Sequence, residues 1–518
     1  MASVCQISDP SELGAICGTT ELPRTQHLTE VISVFWEVFY RLRGAEPWPC
    51  STLWGEQVIT YAGPKGPGKS RPSPGRVAYD RVMTALLNRV MDDLMLGPVP
   101  LDVPLGDARP VPLPSRLATG ELARTSIAAA LLAAGIGRPP ILDSDRIAWA
   151  YRSDRLLLID GAAPEVWSPY SGFWMSADGW IRTHGNYPHH RQALLVGLRL
   201  SEQASADEVR TAITAASARE TIDRVTASGG LAVKVSPEAP RVDAQLRARP
   251  LVELRRVESA PRSAEQAGAD QSSVDAPLRG LRVLDLTRVI AGPVCTRTLA
   301  LLGADVLRVD PPHLSEAEWQ HLDTGHGKRS ALLDARSPQL GVLLDHADVV
   351  VLGYRPAAID RLSLSPDRLA SRYPGLITAQ LSAWGDEHPD RAGFDSLVQA
   401  ESGIALLESA DGETPGALPA QALDHSAGYL LAAGVCAAVR HRREYGGSWR
   451  VSTSLRRVAA ELLGMPRQPS AAPEADEDPA GHTQTFDVDG RTVTTVRSAL
   501  PGFSFEAPRP WGSDAPQW

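Results

Sequence analysis

Between residues 281 and 382 the sequence alternates short runs of branched apolar residues with stretches of helical period, and this constrains the fold more than any other feature. LRVLDLT is followed by a helical stretch after Pro293, then by ADVLRVD, and later by HADVVVLGY and LITAQLS. Continuous apolar runs belong to strands covered on both faces. Their alternation with helices predicts a parallel, doubly wound α/β sheet. Within residues 278–310, Ala291-Gly292-Pro293 turns the chain tightly, Pro293 suits a first helical turn and Gly303 suits a helix end. The unit places a small-residue loop at the carboxyl edge of the sheet, where open α/β folds bind ligands.

At 518 residues the chain exceeds what one hydrophobic core usually serves, so more than one domain is expected. Residues 258–277 are small and polar and cannot bury enough surface to offset their ordering entropy, which predicts a linker. Residues 466–483 form a second such stretch, acidic and proline-rich, ahead of a strand pair around Asp489-Gly490. The expected division is therefore 1–257, an α/β half; 258–277, a linker; 278–465, the main α/β domain; and 466–518, an acidic linker with a C-terminal tail. Upstream, helical patterns cover 30–42, 79–95, 123–134 and 206–228. GFWMSADGWIRTH predicts a hairpin turning at Asp178-Gly179, and LAVKV predicts a strand.

A net charge of -9 and an isoelectric point near 5.8 argue against a nucleic-acid partner, which would require clustered Lys and Arg. The five cysteines are scattered and unpaired in sequence, as expected of a reducing cytoplasm. The N-terminus has no basic region followed by an apolar run, and stretches such as 127–136 are too short to span a bilayer, so no membrane association is expected. Gly63 to Ser70 spell the phosphate-loop pattern G-x-x-x-x-G-K-[ST]. Pro64 and Pro67 remove two backbone donors, however, and Pro72 and Pro74 oppose the helix that should follow, so a Gly/Pro loop is expected instead. His184, His189 and His190 lie close together without matched acidic or thiolate ligands, which favours a polar rim over a metal site.

Six segments in order resemble the family III CoA-transferases, a family that includes formyl-CoA and carnitine CoA-transferases and the α-methylacyl-CoA racemases. They are VLDLTRVIAGP, GADVLRVDPP, TGHGKRSALLD, ADVVVLGYRP with PAAIDRL, GFDSLVQAESGI, and QALDHSAGYLLAAGVCAAVRHRREYGGSWRVSTSL, within about residues 278 to 456. EVWSPYSGFWMSADGWIRTHGN and SARETIDRVTASGGLAVKVSPE are similar to the family's small-domain hairpin and following helix, which normally come after the catalytic half; here they precede it. LPSRLATGELARTSIAAALLAAG at Leu113 is loosely similar to LPAQALDHSAGYLLAAG at Leu418, as though a half-copy without the Asp motif had been fused in front.

The resemblance implies a Rossmann-like CoA-binding domain with a smaller α+β domain, the motif order being rearranged. It implies acyl-CoA and a carboxylic acid as substrates, no tightly bound cofactor and no metal, and either a homodimer or a pseudo-dimeric monomer. On the residues alone, Asp424 reads as a helix N-cap, in reach of N–H groups and a dipole that keep a carboxylate ionised. By resemblance it is the nucleophile, forming an acyl-aspartyl anhydride and then an aspartyl-CoA thioester. The resemblance assigns coenzyme A contacts to Val289, Ala291, Gly292, Lys328, Gly353, Tyr354 and Arg361, while Asp310 stands where a Glu is common. Two alternatives stay open: a racemase or isomerase, which would need the His of a GHD motif where this chain has Gly393-Phe394-Asp395, and an inert CoA-binding subunit.

Overall fold

The structure, a computed structural model, describes residues 51–54, 57–60, 74–99, 106–107, 109–136, 141–257, 272–468 and 479–518. The expected helix at 30–42 and the Gly63–Ser70 stretch lie outside these residues, as do 258–271 and 469–478 of the anticipated linkers. The chain divides into two compact units, Met1–Ser73 and Pro74–Trp518. The first contains an antiparallel pair, Ser51–Trp54 with Gln57–Thr60.

The second unit is organised by a mixed sheet of seven strands: β1 (Glu253–Val257), β2 (Arg282–Leu286), β3 (Asp305–Asp310), β4 (Lys328–Leu332), β5 (Val349–Leu352), β6 (Ile377–Ser382) and β7 (Ser448–Ser454). Their spatial order is β4-β3-β2-β5-β6-β7-β1, parallel throughout except for β1, which runs antiparallel to β7 with Val257 opposite Ser448. Alternate residues of each strand enter different cores. Val283, Val306, Val351 and Ala379 pack with the Ala291–Leu301 and Ala422–Tyr445 helices, while Leu284, Leu307, Val350 and Leu352 pack with the Pro338–His346 and Pro366–Arg372 helices. Two-sided burial is the physical reason the strands read as unbroken apolar runs. Chain order reverses between β2 and β5, the kind of position at which open α/β sheets commonly bind ligands.

Residues on both sides of the anticipated 258–277 linker share this sheet and one core. The Thr119–Ala133 helix, almost wholly buried, packs along the Ala422–Tyr445 helix. The latter, at 24 residues, is long and apolar enough to cross a membrane, yet its apolar window is completely buried within the protein. The hairpin forms from Phe173–Ser176 and Gly179–Thr183, pairs with Ala232–Lys234, and turns at Ala177-Asp178, one residue earlier than expected. The single helix expected over 206–228 is two, Ala206–Thr214 and Ala218–Ala227, because Ser205 and Ser217 each cap a separate start. At the far edge the C-terminal tail covers β4, with the Asp514 N–H donating to Ser330 O at 2.8 Å.

The Ala422–Tyr445 helix lies so close to the sheet that a Cβ on Gly434 would collide with Cγ1 of Val451 and meet Cγ1 of Val252 at 3.0 Å. Gly434→Ala should therefore destabilise the fold by about 1–3 kcal/mol, overpacking outweighing the gain in helix propensity. A lowered urea midpoint with an unchanged slope would show it.

Candidate active site

Asp424 lies in the third position of the Ala422–Tyr445 helix, with Gln421 as N-cap; the cap position expected from sequence is thus three residues off. The group that caps the helix is Asp395, the first residue of the Asp395–Ser402 helix. Its fully buried carboxylate accepts the Asp424 N–H at 2.9 Å, as well as the Leu423 N–H and the Gln399 side-chain amide. The free N–H groups expected to support Asp424 are therefore occupied by a second carboxylate. Burial, and then the charge of Asp395, push the Asp424 carboxyl well above the usual carboxylate range. Burial also raises Asp395 to about 6, against the lowering effect of its hydrogen bonds and of Arg182. The ionised state expected of Asp424 from the helix dipole is thus opposed by desolvation and a like charge.

Facing Asp424 is the loop between β2 and the Ala291–Leu301 helix. Buried Asp285 anchors its base, accepting from the Thr287 N–H at 3.0 Å, the Thr287 and Thr296 hydroxyls at 2.5 Å each and Lys328 Nζ at 3.1 Å. A Cβ on Gly428, one turn beyond Asp424, would lie 2.6 Å from the Ala291 carbonyl oxygen, so the loop and the Ala422–Tyr445 helix meet backbone to backbone. Val289 adopts φ 73°, a left-handed conformation costly for a β-branched residue and characteristic of functional loops. Glu316 holds it there, accepting from Val289 N at 3.1 Å, Arg308 at 2.9 Å and the Tyr187 hydroxyl at 2.5 Å.

A cavity of about 20 Å³ lies between these parts. Asp424, Gln421, Val289, Ile290 and Phe394 line it from the sequence beyond residue 278; Asp154, Trp167, His184 and Asn186 line it from the sequence before 258. His184 stacks on Phe394 with ring centroids 3.8 Å apart, and its buried Nδ1 has no hydrogen-bond partner. The three histidines form an aromatic cluster with Tyr187 and Phe394, and burial keeps all three imidazoles neutral by lowering their pKa values. Among the described residues no group of three or more potential ligands could hold a metal ion.

The residues expected to contact coenzyme A separate into three places. Val289 lines the cavity, with Ala291 and Gly292 in the adjoining helical turn. Gly292 and Gly353 enclose Thr287, a Cβ on either meeting its side chain at 3.0 Å or closer, so both positions serve close packing. Lys328 does not face the cavity. It is buried in an ion pair with Asp285 and donates to Pro293 O at 2.9 Å, and burial lowers its pKa to about 8. Arg361 forms an exposed ion pair with Asp390, and Tyr354 is half-buried with an unpartnered hydroxyl. Asp310 is bound by Arg308 and by Trp511 Nε1 at 3.1 Å, which commits it to the interior. Sequence reasoning missed the capping and electrostatic role of Asp395, the loop anchors Asp285 and Glu316, and the cavity position of His184. Only the strand-end position of Asp285 in VLDLT offered a signal.

The elevated pKa of Asp424 has a consequence for stability. A carboxyl whose folded pKa exceeds its unfolded value of about 4 holds its proton to a higher pH in the native state than in the unfolded chain, so its contribution is full below pH 4 and is lost as pH rises through the folded pKa. Asp424→Asn should therefore melt at a higher temperature than the unsubstituted protein at pH 8, and calorimetry should show the gap narrowing toward pH 4.

Residues 278–489 match CoA-transferase family III. A probable fatty acyl-CoA transferase of Mycobacterium tuberculosis is 36% identical over 206 residues, covering 36% of this chain and 52% of that protein. A formyl-CoA:oxalate CoA-transferase of Afipia carboxidovorans is 31% identical over 195 residues, covering 34% and 46%. A crystal structure of the mycobacterial protein aligns at 35% identity with a TM-score of 0.35, covering 36% of this chain and 58% of that one. The chain spans about half the length of the curated relatives it matches. Over residues 278–489 the chain is therefore similar to CoA-transferase family III.

Proposed function

We propose that this protein transfers coenzyme A from an acyl-CoA to a carboxylic acid, with Asp424 as the covalent carrier. The observation that carries the reading is the desolvated Asp424 carboxyl at a cavity wall, opposite the strained Val289 loop. A carboxylate stripped of water is a stronger nucleophile toward a thioester than a solvated one. Its oxygen adds to the thioester carbon and the C–S bond breaks, giving an anhydride and CoA thiolate. The thiolate then attacks the Asp424 carbonyl, the C–O bond breaks, and the donor acid leaves. The acceptor carboxylate attacks the resulting aspartyl thioester, expelling the thiolate, which returns to the acceptor's acyl carbon and frees Asp424. No step requires a general base.

Within this reading the sheet is doubly wound and Rossmann-like, with the motif order rearranged, and coenzyme A enters beside the Val289–Gly292 loop. Because the cavity draws residues from both ends of one chain, a pseudo-dimeric monomer is the oligomeric reading it favours. A second reading, proton transfer at the α-carbon of an acyl-CoA, is favoured by one observation. Phe394 cannot carry a proton, but neutral His184 stacks on it and lines the same cavity as Asp424.

Asp424→Asn should lower CoA transfer by several orders of magnitude. During turnover, hydroxylamine should modify the peptide containing Asp424 in the unsubstituted enzyme only. The transfer rate should also fall on acidification as the Asp395–Asp424 pair takes up protons, Asp395 titrating at about 6. Unimpaired transfer by the Asn variant, together with uptake of solvent deuterium into the acyl-CoA, would select the proton-transfer reading.

A further inference from the structure

A second cavity, of about 310 Å³, adjoins the one at Asp424 and shares Asp154, Trp167 and Gln421 with it. The two differ in charge. The first contains Asp424 and no cation; the second contains Arg155 and Arg182 but not Asp424. Arg182, on the second strand of the hairpin, has its guanidinium 4.6 Å from the Phe173 ring centroid and 5.4 Å from that of Trp167. Its Nε is buried without a hydrogen-bond partner, and so is the hydroxyl of Ser396, a residue only 7% exposed that lines the same cavity. A desolvated guanidinium and an unpartnered hydroxyl on one wall are costly in an isolated fold and match the donors that a carboxylate accepts.

Other polar groups of the cavity are already engaged. Gln399 donates its amide N–H to Asp395 and accepts from the Leu418 N–H through its side-chain oxygen, and Arg155 donates to Pro419 O at 2.8 Å. Asp154, on the boundary between the cavities, is pushed up to about 6 by burial and the charge of Asp323. Arg182 lines only the second cavity and Asp424 only the first, on either side of the wall they share. A molecule spanning both cavities would place one end at Arg182 and the other at Asp424. We propose that the second cavity binds the distal carboxylate of a short dicarboxylic substrate, with Arg182 and Ser396 as its donors. This rests on the CoA-transfer reading and names the acid it acts on.

The test compares succinate with butyrate, equal in chain length and differing by the distal carboxylate. With acetyl-CoA as donor and the full chain as enzyme, kcat/KM for succinate should exceed that for butyrate by about ten- to a hundredfold, the worth of a charge-assisted hydrogen bond to a buried group. Arg182→Gln should bring the ratio toward one. Arg182→Lys, which keeps the charge, should recover part of it and thereby separate a lost anion site from a misfolded hairpin. Equal use of the two acids by the unsubstituted enzyme, or a preference that survives Arg182→Gln, would overturn the proposal. If neither acid accepts CoA, calorimetric titration decides: succinate binding that Arg182→Gln removes would retain the anion site and reject the transfer reading, whereas no succinate binding would reject the site.

Discussion

The bond from the Asp424 N–H to the Asp395 carboxylate sets the terms for the rest of the site. It joins the starts of two helices and brings two buried carboxyl groups close enough to oppose each other's ionisation. A helix N-terminus with free N–H groups would stabilise an anionic Asp424. With those groups given to Asp395, the positive end of the helix stabilises the neighbour and leaves the nucleophile as the less stable anion. In the proposed reaction, a carboxylate held in this way would release free energy on bonding to an acyl carbon, since the proposed anhydride and thioester are both uncharged at Asp424. On that reading the arrangement favours the covalent intermediate over the resting ion, as differential stabilisation requires.

The loop across the cavity is fixed by polar groups that never reach it. Asp285 and Glu316 are both fully buried, and each gathers several donors: two threonines and a lysine on one, two arginines and a tyrosine on the other. Buried ion pairs contribute little net stability, because desolvation offsets most of the attraction, but losing one partner is costly. That asymmetry suits a loop that must hold Val289 in a left-handed conformation. Tyr187 extends this support into the earlier part of the chain, so the loop geometry depends on residues more than a hundred positions away.

Features encoded by local periodicity were legible in the sequence: strands β2, β3, β5 and β6 of the sheet, the Ala291–Leu301 helix, the hairpin and the apolar helix that carries Asp424. Features created by tertiary contact were not. Lys328 is assigned to coenzyme A by resemblance; only the fold shows Asp285 beneath it. Asp395 reads as the end of a triplet lacking its His, and its bond to Asp424 spans 29 positions. Arg182 sits in an alternating strand where an exposed cation is the ordinary expectation, and it is the packing of Phe173 and Trp167 that desolvates it. The capping position of Asp424 was misplaced because capping preferences identify helix starts only to within a turn.

The front part of the chain has a specific place in this economy. The helices Thr119–Ala133 and Ala422–Tyr445 pack along one another, and the sequences leading into them are similar. When their shared LLAAG segments are aligned, Thr125 falls where Asp424 stands, and its buried hydroxyl has no hydrogen-bond partner. A threonine there lacks a second carboxyl oxygen and cannot be both acylated and thioesterified in the sequence proposed for Asp424. The front helix thus supplies apolar surface, while the hairpin that follows and its flanking residues supply Arg182, Trp167 and His184 to the cavities beside Asp424. In the proposed reaction, two similar helices in one chain would therefore make one reactive site, with the nucleophile contributed by the later segment and much of the pocket wall by the earlier one.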